Sequence, residues 1–432
     1  MRNLPFSLFC LFLTVFLLRF PPLYFTGFQN ILLTTHIISI TIIFLLASYF
    51  LFKKITNKTN KTKIFSLKLE NFLILIFFVT QSLSILNAVY IPIFIQRYSK
   101  IIVGMIIYFT ISVFLLVADK AKRENIYKIV IYAFFSGGLI TVLLQLILVV
   151  YSNLYFGLIS FFIYSNILDI TKANYDINKL FDDSYLEIVI PIIVFYLLSV
   201  NLRSLSKKFF LLLLLIIIAI LVLVSNFRYR LLAYLFSIFL TFSIFKINDK
   251  GVFNKIFILG LVIIFIINNT NPLIRQFSKN TAADRLTEKK EYEEYTSFAW
   301  RLQMFDKSIE LAGVEIFGVG LGNMFDYLSK KEIYTLTQGK LTKLAALLAG
   351  PHNIFFQYLA ETGFIGLLGF VLLLTYYLKK DTLIIKRVGN QRKKVFISMF
   401  WTLIFIVQFF PAINLTYYVL FFLLRGLIIH KT

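Results

Sequence analysis

A histidine stands where a long polar segment of the sequence meets an apolar one. His352 lies between Pro351 and Asn353, and nine further residues lead to Gly363, the first glycine of a Gly-Phe-Ile-Gly sequence. This pattern predicts a helix of about three turns that begins at His352 and is broken at Gly363. The positive end of a helix disfavours an imidazolium, so the ring would stay neutral and could act as a general base. The alternative is a histidine that only caps a helix re-entering the membrane.

Three arginines predict an anion-binding site. Arg228 and Arg230 end a very short outward turn, and Arg301 follows Trp300 on a predicted helix. A guanidinium group can donate two parallel hydrogen bonds to two phosphate oxygens. A pyrophosphate at the outer membrane surface would require such donors. The alternatives are snorkelling of Arg228 and Arg230 to lipid headgroups and an ordinary helix-face ion pair for Arg301. The sequence leaves open which of Arg228 and Arg230 contacts phosphate.

Supporting roles fall to Asn353, Glu361 and Gly363, which share the predicted helix with His352. Glu361 lies nine residues after His352, which is about two and a half turns along the helix and on a different face. A polar residue at a helix end is the simpler interpretation of Glu361. The outward acidic residues lack the paired spacing of metal ligands, so neither a metal nor a cofactor is expected.

A run of three glycines, residues 318–323, has the sequence Gly-Val-Gly-Leu-Gly-Asn. It superficially resembles a dinucleotide-binding loop, but it follows a helix rather than a strand and it lacks the final spacing of that motif. Tight packing or a sharp turn, which the missing β-carbons allow, is the better interpretation.

Composition identifies an integral membrane protein. Hydrophobic residues make up 59% of the chain, 50 residues are phenylalanine, and the mean hydropathy is +0.83. Apolar runs of about twenty residues span a hydrocarbon core of roughly 30 Å. The sequence therefore predicts an all-α, polytopic membrane bundle of about twelve transmembrane helices. The predicted spans are 4–18, 31–52, 71–90, 101–118, 129–151, 185–200, 209–224, 231–245, 256–267, 354–378, 395–410 and 416–429.

The formal net charge of +23 is explained by membrane topology. Most lysines and arginines fall in alternate short loops, which places those loops, the N-terminus and the C-terminus on the cytoplasmic side. The first span is interpreted as an uncleaved anchor, because Arg19 and two prolines follow it where a signal peptide has small residues. No nucleic-acid partner is expected. The single cysteine, Cys10, allows neither an internal disulfide nor a thiolate metal site.

Three regions follow from this topology. Residues 1–268 form an N-terminal bundle of about nine spans, residues 269–351 form a large outward loop, and residues 352–432 hold the broken helix and the last spans. The loop is predicted to carry short helices, among them an amphipathic one that lies against the membrane or the bundle. Its apolar stripe comprises Phe298, Leu302, Phe305, Ile309, Ala312 and Ile316.

Together these stretches resemble the O-antigen ligase and polymerase superfamily, which are membrane glycosyltransferases of bacterial envelopes. The resemblance rests on Trp300-Arg301-Leu302, on the glycine run, and above all on residues 351–366. It covers residues 225–377 and is only topological before them. The chain departs from the family pattern at Phe227 and Tyr229, where hydroxyl and small residues are usual.

The resemblance implies a metal-independent transfer of a glycan from undecaprenyl pyrophosphate to an acceptor hydroxyl. The reaction would occur on the periplasmic side of the bacterial inner membrane, with His352 activating the acceptor and arginines at 228 and 301 holding the pyrophosphate. The expected partners are the lipid-linked oligosaccharide donor, a glycan acceptor, membrane lipids and a chain-length regulator.

Polymerisation of O-antigen or related repeat units is the preferred activity, because the three-glycine run is typical of polymerase-like members. Transfer of finished glycan to lipid A core is the alternative within the same chemistry. A flippase is a rival from another class, but translocation pathways place ionisable residues inside the spans, where this sequence has few. A non-catalytic scaffold for envelope assembly is the weakest alternative.

Overall fold

The computed structural model describes residues 69–118, 120–150, 185–199, 205–224, 228–245, 297–324, 327–328, 353–386, 391–408 and 415–428. Regular structure in these ranges is entirely helical, which confirms the predicted all-α class for this part of the chain. The helices are α1 Leu69–Ser82, α2 Ile91–Val117, α3 Lys120–Val150, α4 Tyr185–Ser199, α5 Leu205–Val224, α6 Arg228–Phe245, α7 Ser297–Val314, α8 Ile354–Lys386, α9 Gln391–Ile406 and α10 Leu415–Ile428. A short 3-10 helix, Leu83–Asn87, follows α1.

Each predicted span within the described ranges coincides with a helix. Spans 4–18, 31–52 and 256–267 lie outside those ranges, so the predicted total of about twelve remains a prediction. Within the described ranges, four stretches are long and apolar enough to cross a membrane, namely Leu69–Asn87, Ile91–Leu116, Ala121–Leu143 and Ile354–Lys386.

Glycines on α2, α8 and α10 let helices pack closely. A methyl group on Gly104 of α2 would overlap the Phe422 ring of α10, and one on Gly426 of α10 would lie 3.2 Å from the Ile111 side chain of α2. Similarly, a methyl group on Gly369 of α8 would overlap the Thr80 side chain of α1. Small residues at these positions permit the close backbone approach on which helix association in lipid depends.

The predicted amphipathic segment forms helix α7, and the bundle covers its predicted apolar stripe only in part. Met304, Ser308 and Leu311 are buried, whereas Ile309 is 56% exposed and Ile316, beyond the end of the helix, is 57% exposed. The helix carries two neighbouring apolar stripes, and α8 covers the one that includes Met304 and Leu311. Periodicity alone identifies apolar faces and does not select the one that a neighbouring helix covers.

A buried ion pair joins α8 to α10. The Arg425 guanidinium donates from Nη1 to both carboxylate oxygens of Asp381, at 2.9 and 2.8 Å. It also lies over the Tyr377 ring, 3.7 Å from the ring centroid, and the Trp401 indole donates to the same carboxylate at 2.9 Å. Arg425, the clearest ionisable residue within a predicted span, thus contacts a carboxylate and the rings of Tyr377 and Phe400.

Replacement of Arg425 by methionine is expected to destabilise the protein by about 3–5 kcal/mol, because it leaves the Asp381 carboxylate buried without its cation. Thermal unfolding in detergent measures the effect. The double variant Asp381→Leu with Arg425→Met removes both charges, so it should recover most of the loss. A double variant no more stable than Arg425→Met would contradict this interpretation.

Candidate functional site

The first part of α8, residues 354–362, is called here the capped segment. Asn353 caps it, since the side-chain oxygen accepts hydrogen bonds from the backbone N–H groups of Phe355 at 2.9 Å and Phe356 at 3.3 Å. Asparagine is among the preferred caps because it satisfies N–H groups that have no partner within the helix. The helix therefore begins at Ile354, two residues later than predicted, and His352 lies outside the described residues.

The predicted break at Gly363 is confirmed. Gly363 has φ 67° and ψ −172°, values that an α-helix does not have. This conformation interrupts α8 directly after residue 362 and so ends the capped segment. The interruption leaves the last carbonyl groups of the segment without helical partners. Val319 donates its N–H to the Ala360 carbonyl at 3.0 Å, and Gly320 donates to the Glu361 carbonyl at 2.9 Å. The glycine run thus closes the broken end of the helix.

Residues 318–323, called here the glycine turn, need glycine for both conformation and space. Gly318, Gly320 and Gly322 have φ values of 71°, 93° and 76°, a region that other residues rarely adopt. A methyl group on Gly318 would lie 2.5 Å from the Thr362 nitrogen, and one on Gly363 would lie 2.5 Å from the Gly318 nitrogen. The predicted explanation, tight packing in a sharp turn, agrees with this geometry.

Helix α7 runs parallel to the capped segment. The rings of Phe305 and Phe356 stack with centroids 4.1 Å apart, and the backbone of Ile316, just beyond the end of α7, lies against Gly363. Arg301 lies one turn before Phe305, and Asn353 lies less than one turn before Phe356. The first turns of the two helices therefore lie at the same end of this pair. The side chain of Arg301 lies outside the described part.

The glycine turn is also fastened to the start of α2, which the sequence did not suggest. The Asn323 side-chain oxygen accepts the Tyr90 N–H at 2.7 Å, and the Asn323 amide donates to the Leu321 carbonyl at 3.1 Å. Three residues before Tyr90, the Asn87 amide donates to the Glu315 carboxylate at 2.9 Å. Asn87 and Asn323 thus join the region of α7 and the glycine turn to the junction of α1 and α2.

A charged cluster lies behind the capped segment and was likewise missed. Glu361 is 7% exposed, and its carboxylate accepts a hydrogen bond from the Gln357 amide at 3.4 Å. The side chain of Arg97 on α2 lies against Gly322 of the glycine turn, and Lys100 follows three residues later on α2. The prediction had placed both cations in a loop before a span at 101–118, whereas α2 begins at Ile91 and includes them. The available signal was Pro92, which is favoured in the first turn of a helix.

Arg230 occupies a different environment from the one expected of a phosphate ligand. Its Nε lies 2.6 Å from the Glu187 carboxylate of α4, and both side chains are 0% exposed. Ser237 of α6 donates its hydroxyl to the Glu187 carbonyl at 3.2 Å, so α4 and α6 are joined at two points. Arg228 is the first residue of α6, and its side chain lies outside the described part.

The predicted site residues therefore lie in different parts of the structure. Asn353, Glu361 and Gly363 lie together on α8 against the glycine turn, while Arg230 lies in the ion pair with Glu187. Backbone positions alone are described for Arg228 and Arg301, and His352 is outside the described ranges. Within the ranges given above, no group of three or more histidine, cysteine, aspartate and glutamate residues is arranged to hold a metal.

Comparison with known proteins relates part of the chain to a known family. A family model described as O-antigen ligase matches residues 183–371, which include α4 to α7, the glycine turn, the capped segment and Gly363. No curated protein matches the sequence. The match at residues 183–371 supports the resemblance of this chain to the O-antigen ligase and polymerase superfamily.

Proposed function

We propose that the protein is a membrane glycosyltransferase that polymerises repeat units of O-antigen or a related surface polysaccharide. The donor is a glycan linked to undecaprenyl pyrophosphate, and the acceptor is a hydroxyl group of another glycan. The family match supports an enzyme acting on lipid-linked glycans in a membrane. The observation that carries the proposal further is the parallel packing of α7 on the capped segment, since these helices bear Arg301 and follow His352.

In this proposal His352 removes the proton from the acceptor hydroxyl. It directly precedes the cap Asn353 in the sequence, two residues before the capped segment begins. The partial positive charge at that end of the helix disfavours the imidazolium form and keeps the ring able to accept a proton. A base held by a capped helix start also loses little orientation between turnovers.

The arginines stabilise the charge that develops on the leaving pyrophosphate. Arg301 lies one turn before Phe305, whose ring stacks on Phe356 in the first turn of the capped segment. A guanidinium at this end of α7 and the imidazole of His352 would then act on the two sides of the bond that breaks. Cations fixed in a site of low dielectric stabilise developing anionic charge without a metal ion.

We assign the second phosphate contact to Arg228. Arg230 already pairs with Glu187 away from solvent, so its guanidinium would have to leave a buried carboxylate in order to bind phosphate. Arg228 opens α6 two residues earlier and belongs to the same short turn. Arg230 then serves as a structural partner that holds the start of α6 against α4.

Separate substitutions distinguish the two arginines. Arg228→Ala is expected to lower glycan transfer by about 10²–10³-fold, as loss of a group that stabilises transition-state charge does, with unfolding unchanged. Arg230→Met is expected to cost about 3–5 kcal/mol of stability, since Glu187 stays buried without its cation. Adding Glu187→Leu to Arg230→Met should restore both stability and transfer. A stable double variant without transfer would instead assign the phosphate contact to Arg230.

A deletion strain separates polymerase from ligase. Without a polymerase, the lipopolysaccharide carries a single repeat unit, whereas without a ligase it carries none and lipid-linked glycan accumulates. Gel electrophoresis of the lipopolysaccharide is expected to show the single repeat, and restored chains when the gene is supplied again. Absence of any repeat would favour the alternative, transfer of finished glycan to lipid A core.

The same proposal sets the cellular context. The protein lies in the bacterial inner membrane with both termini in the cytoplasm and the site facing the periplasm, where a chain-length regulator is a further partner. A flippase is disfavoured because Arg425 and Arg230, both buried in helices, are each paired with a carboxylate. Elongation of labelled lipid-linked repeats by purified protein in detergent, where no membrane separates two sides, would exclude transport as the activity.

A further inference from the structure

The exposed side of α8 is apolar up to the break at Gly363. Phe364, Leu368 and Leu372 follow one another every four residues, so they share one side of the helix, and all three are exposed. The stretch Ile354–Lys386 is long and apolar enough to cross a membrane. This side of α8 therefore faces hydrocarbon, and Phe364 marks the end of it that is nearest to the capped segment.

Helix α7 and the residues that follow it carry exposed apolar side chains beyond this break. Ile316, whose backbone lies against Gly363, is exposed, and so is Ile309 of α7. Ile309 follows Phe305 by one turn, so it lies on the side of α7 where Phe305 stacks on Phe356. Apolar side chains thus continue from α8 onto the segment that the sequence assigns to the outward loop. The exposed apolar residues of both helices are called here the apolar strip: Ile309, Ile316, Phe364, Leu368 and Leu372.

The capped segment borders the apolar strip on its other side. Leu359 follows Phe356 by three residues and is half-buried, as are both stacked rings. It lies on the side of Phe356 that is turned away from Ala360, whose contact with α7 is buried. Leu359 and Ile309 therefore flank the stacked rings of Phe305 and Phe356 on the same side of the helix pair.

Membrane lipid explains the α8 part of the apolar strip but not the α7 part. Acyl chains cover the exposed side chains of a spanning helix, whereas α7 packs beside the capped segment, on the other side of the break. The neighbouring side of α7 carries Asp306 and Glu310, which are exposed, so this helix also meets water or headgroups. An apolar chain that reaches from the hydrocarbon to the helix pair would cover the exposed isoleucines there.

We propose that the apolar strip binds the isoprenoid chain of the lipid-linked donor, which runs from the hydrocarbon along α8 and past Gly363 to Ile309. The inference rests on the proposed function, which supplies a donor with such a chain. The strip leads to the stacked rings of Phe305 and Phe356, near the first turns of the two helices. Binding gains most from the α7 part, because a chain that moves from lipid onto α8 removes no apolar surface from water.

Photo-cross-linking tests the contact directly. Full-length Cys10→Ser protein receives Ile309→Cys, Phe364→Cys or Ile220→Cys, is labelled with benzophenone maleimide and is reconstituted in liposomes of phosphatidylethanolamine and phosphatidylglycerol. Ile220 of α5 is the matched control, since it is 52% exposed and Phe364 is 59% exposed. The probe is undecaprenyl-pyrophosphate-linked repeat units with a radiolabelled glycan. The probe is expected to attach to positions 309 and 364 several-fold more than to position 220, and unlabelled undecaprenyl pyrophosphate should compete.

Steady-state kinetics with the same donor provide a second readout. Ile309→Ala with Ile316→Ala removes apolar surface where lipid does not cover the strip, so KM for the donor is expected to rise roughly tenfold with the turnover number unchanged. Leu368→Ala with Leu372→Ala is the matched control, because acyl chains and the isoprenoid chain are equally apolar there. Its KM should stay near the wild-type value.

The outcomes separate the inference from the proposed function. Equal attachment of the probe at the three positions, or an unchanged KM for Ile309→Ala with Ile316→Ala, would overturn the inference and leave the proposed function intact. Attachment of another protein at position 309 would also overturn it, since the strip would then have a different occupant. Failure of the wild-type protein to elongate the donor would overturn the proposed function itself.

Discussion

Replacing His352 with alanine is expected to lower the rate of glycan transfer by about 10²–10⁴-fold, the usual contribution of a general base. The capped segment begins one residue after Asn353, so removing a side chain before the cap leaves the hydrogen bonds of the helix start in place. The melting temperature in detergent should therefore stay unchanged. The measurement is elongation of labelled lipid-linked repeats by purified protein.

The pH dependence of this rate gives a second expectation for the same residue. A general base works only when deprotonated, so transfer by the wild-type protein should fall as the imidazole gains a proton at low pH. His352→Gln can accept a hydrogen bond but cannot carry away a proton, so its residual rate should lack this dependence. Transfer by His352→Ala at the wild-type rate would assign the base to another residue.

Substituting Gly363 is expected to disrupt the site without touching any residue that binds substrate. Alanine at φ 67° costs about 1–3 kcal/mol of strain, and its methyl group would also overlap the backbone of Ile316 and Gly318. The capped segment and the glycine turn must then separate, which breaks the hydrogen bonds from Val319 and Gly320. Transfer should fall by at least about tenfold because the catalytic groups lose alignment.

A glycine on α7 supplies the control for this substitution. No atom lies within 4 Å of a methyl group built on Gly313, so Gly313→Ala meets open space. Because alanine is the better helix former, Gly313→Ala should leave transfer unchanged and stabilise the protein slightly. Thermal unfolding and transfer measured on both variants separate the two positions. Equal behaviour of Gly313→Ala and Gly363→Ala would show that the glycine turn does not hold the site together.

The helices and the break in α8 could be predicted from the sequence because each depends on residues that are close together in the chain. Apolar runs about as long as a membrane is thick identified every helix in the described ranges that the topology uses as a span. The break in α8 was predicted because Gly363 follows about three turns of a helix that begins after Pro351. The start of α2 was misplaced, because Arg97 and Lys100 are charged residues just before the apolar run that was taken as the span.

Features that depend on distant partners could not be predicted. Glu187 and Arg230 are separated by 43 positions, and Asp381 and Arg425 by 44, so nothing in the spacing pairs them. The buried face of α7 is likewise selected by Phe356 and Ala360 of α8, whereas the sequence of α7 offers two apolar stripes. Arg230 looked like a phosphate ligand for the same reason, since only the fold reveals its carboxylate.

Convergence of Arg301 and His352 is tested most directly by cross-linking. Cys10→Ser removes the single cysteine, after which Arg301→Cys and His352→Cys introduce a pair that a short bis-maleimide can join. Phe305→Cys with Phe356→Cys, whose native rings stack at 4.1 Å, is the positive control. Mass spectrometry of the digested protein should detect the cross-linked peptides for both pairs. Cross-linking of 305 to 356 without cross-linking of 301 to 352 would show that the two residues do not share one site.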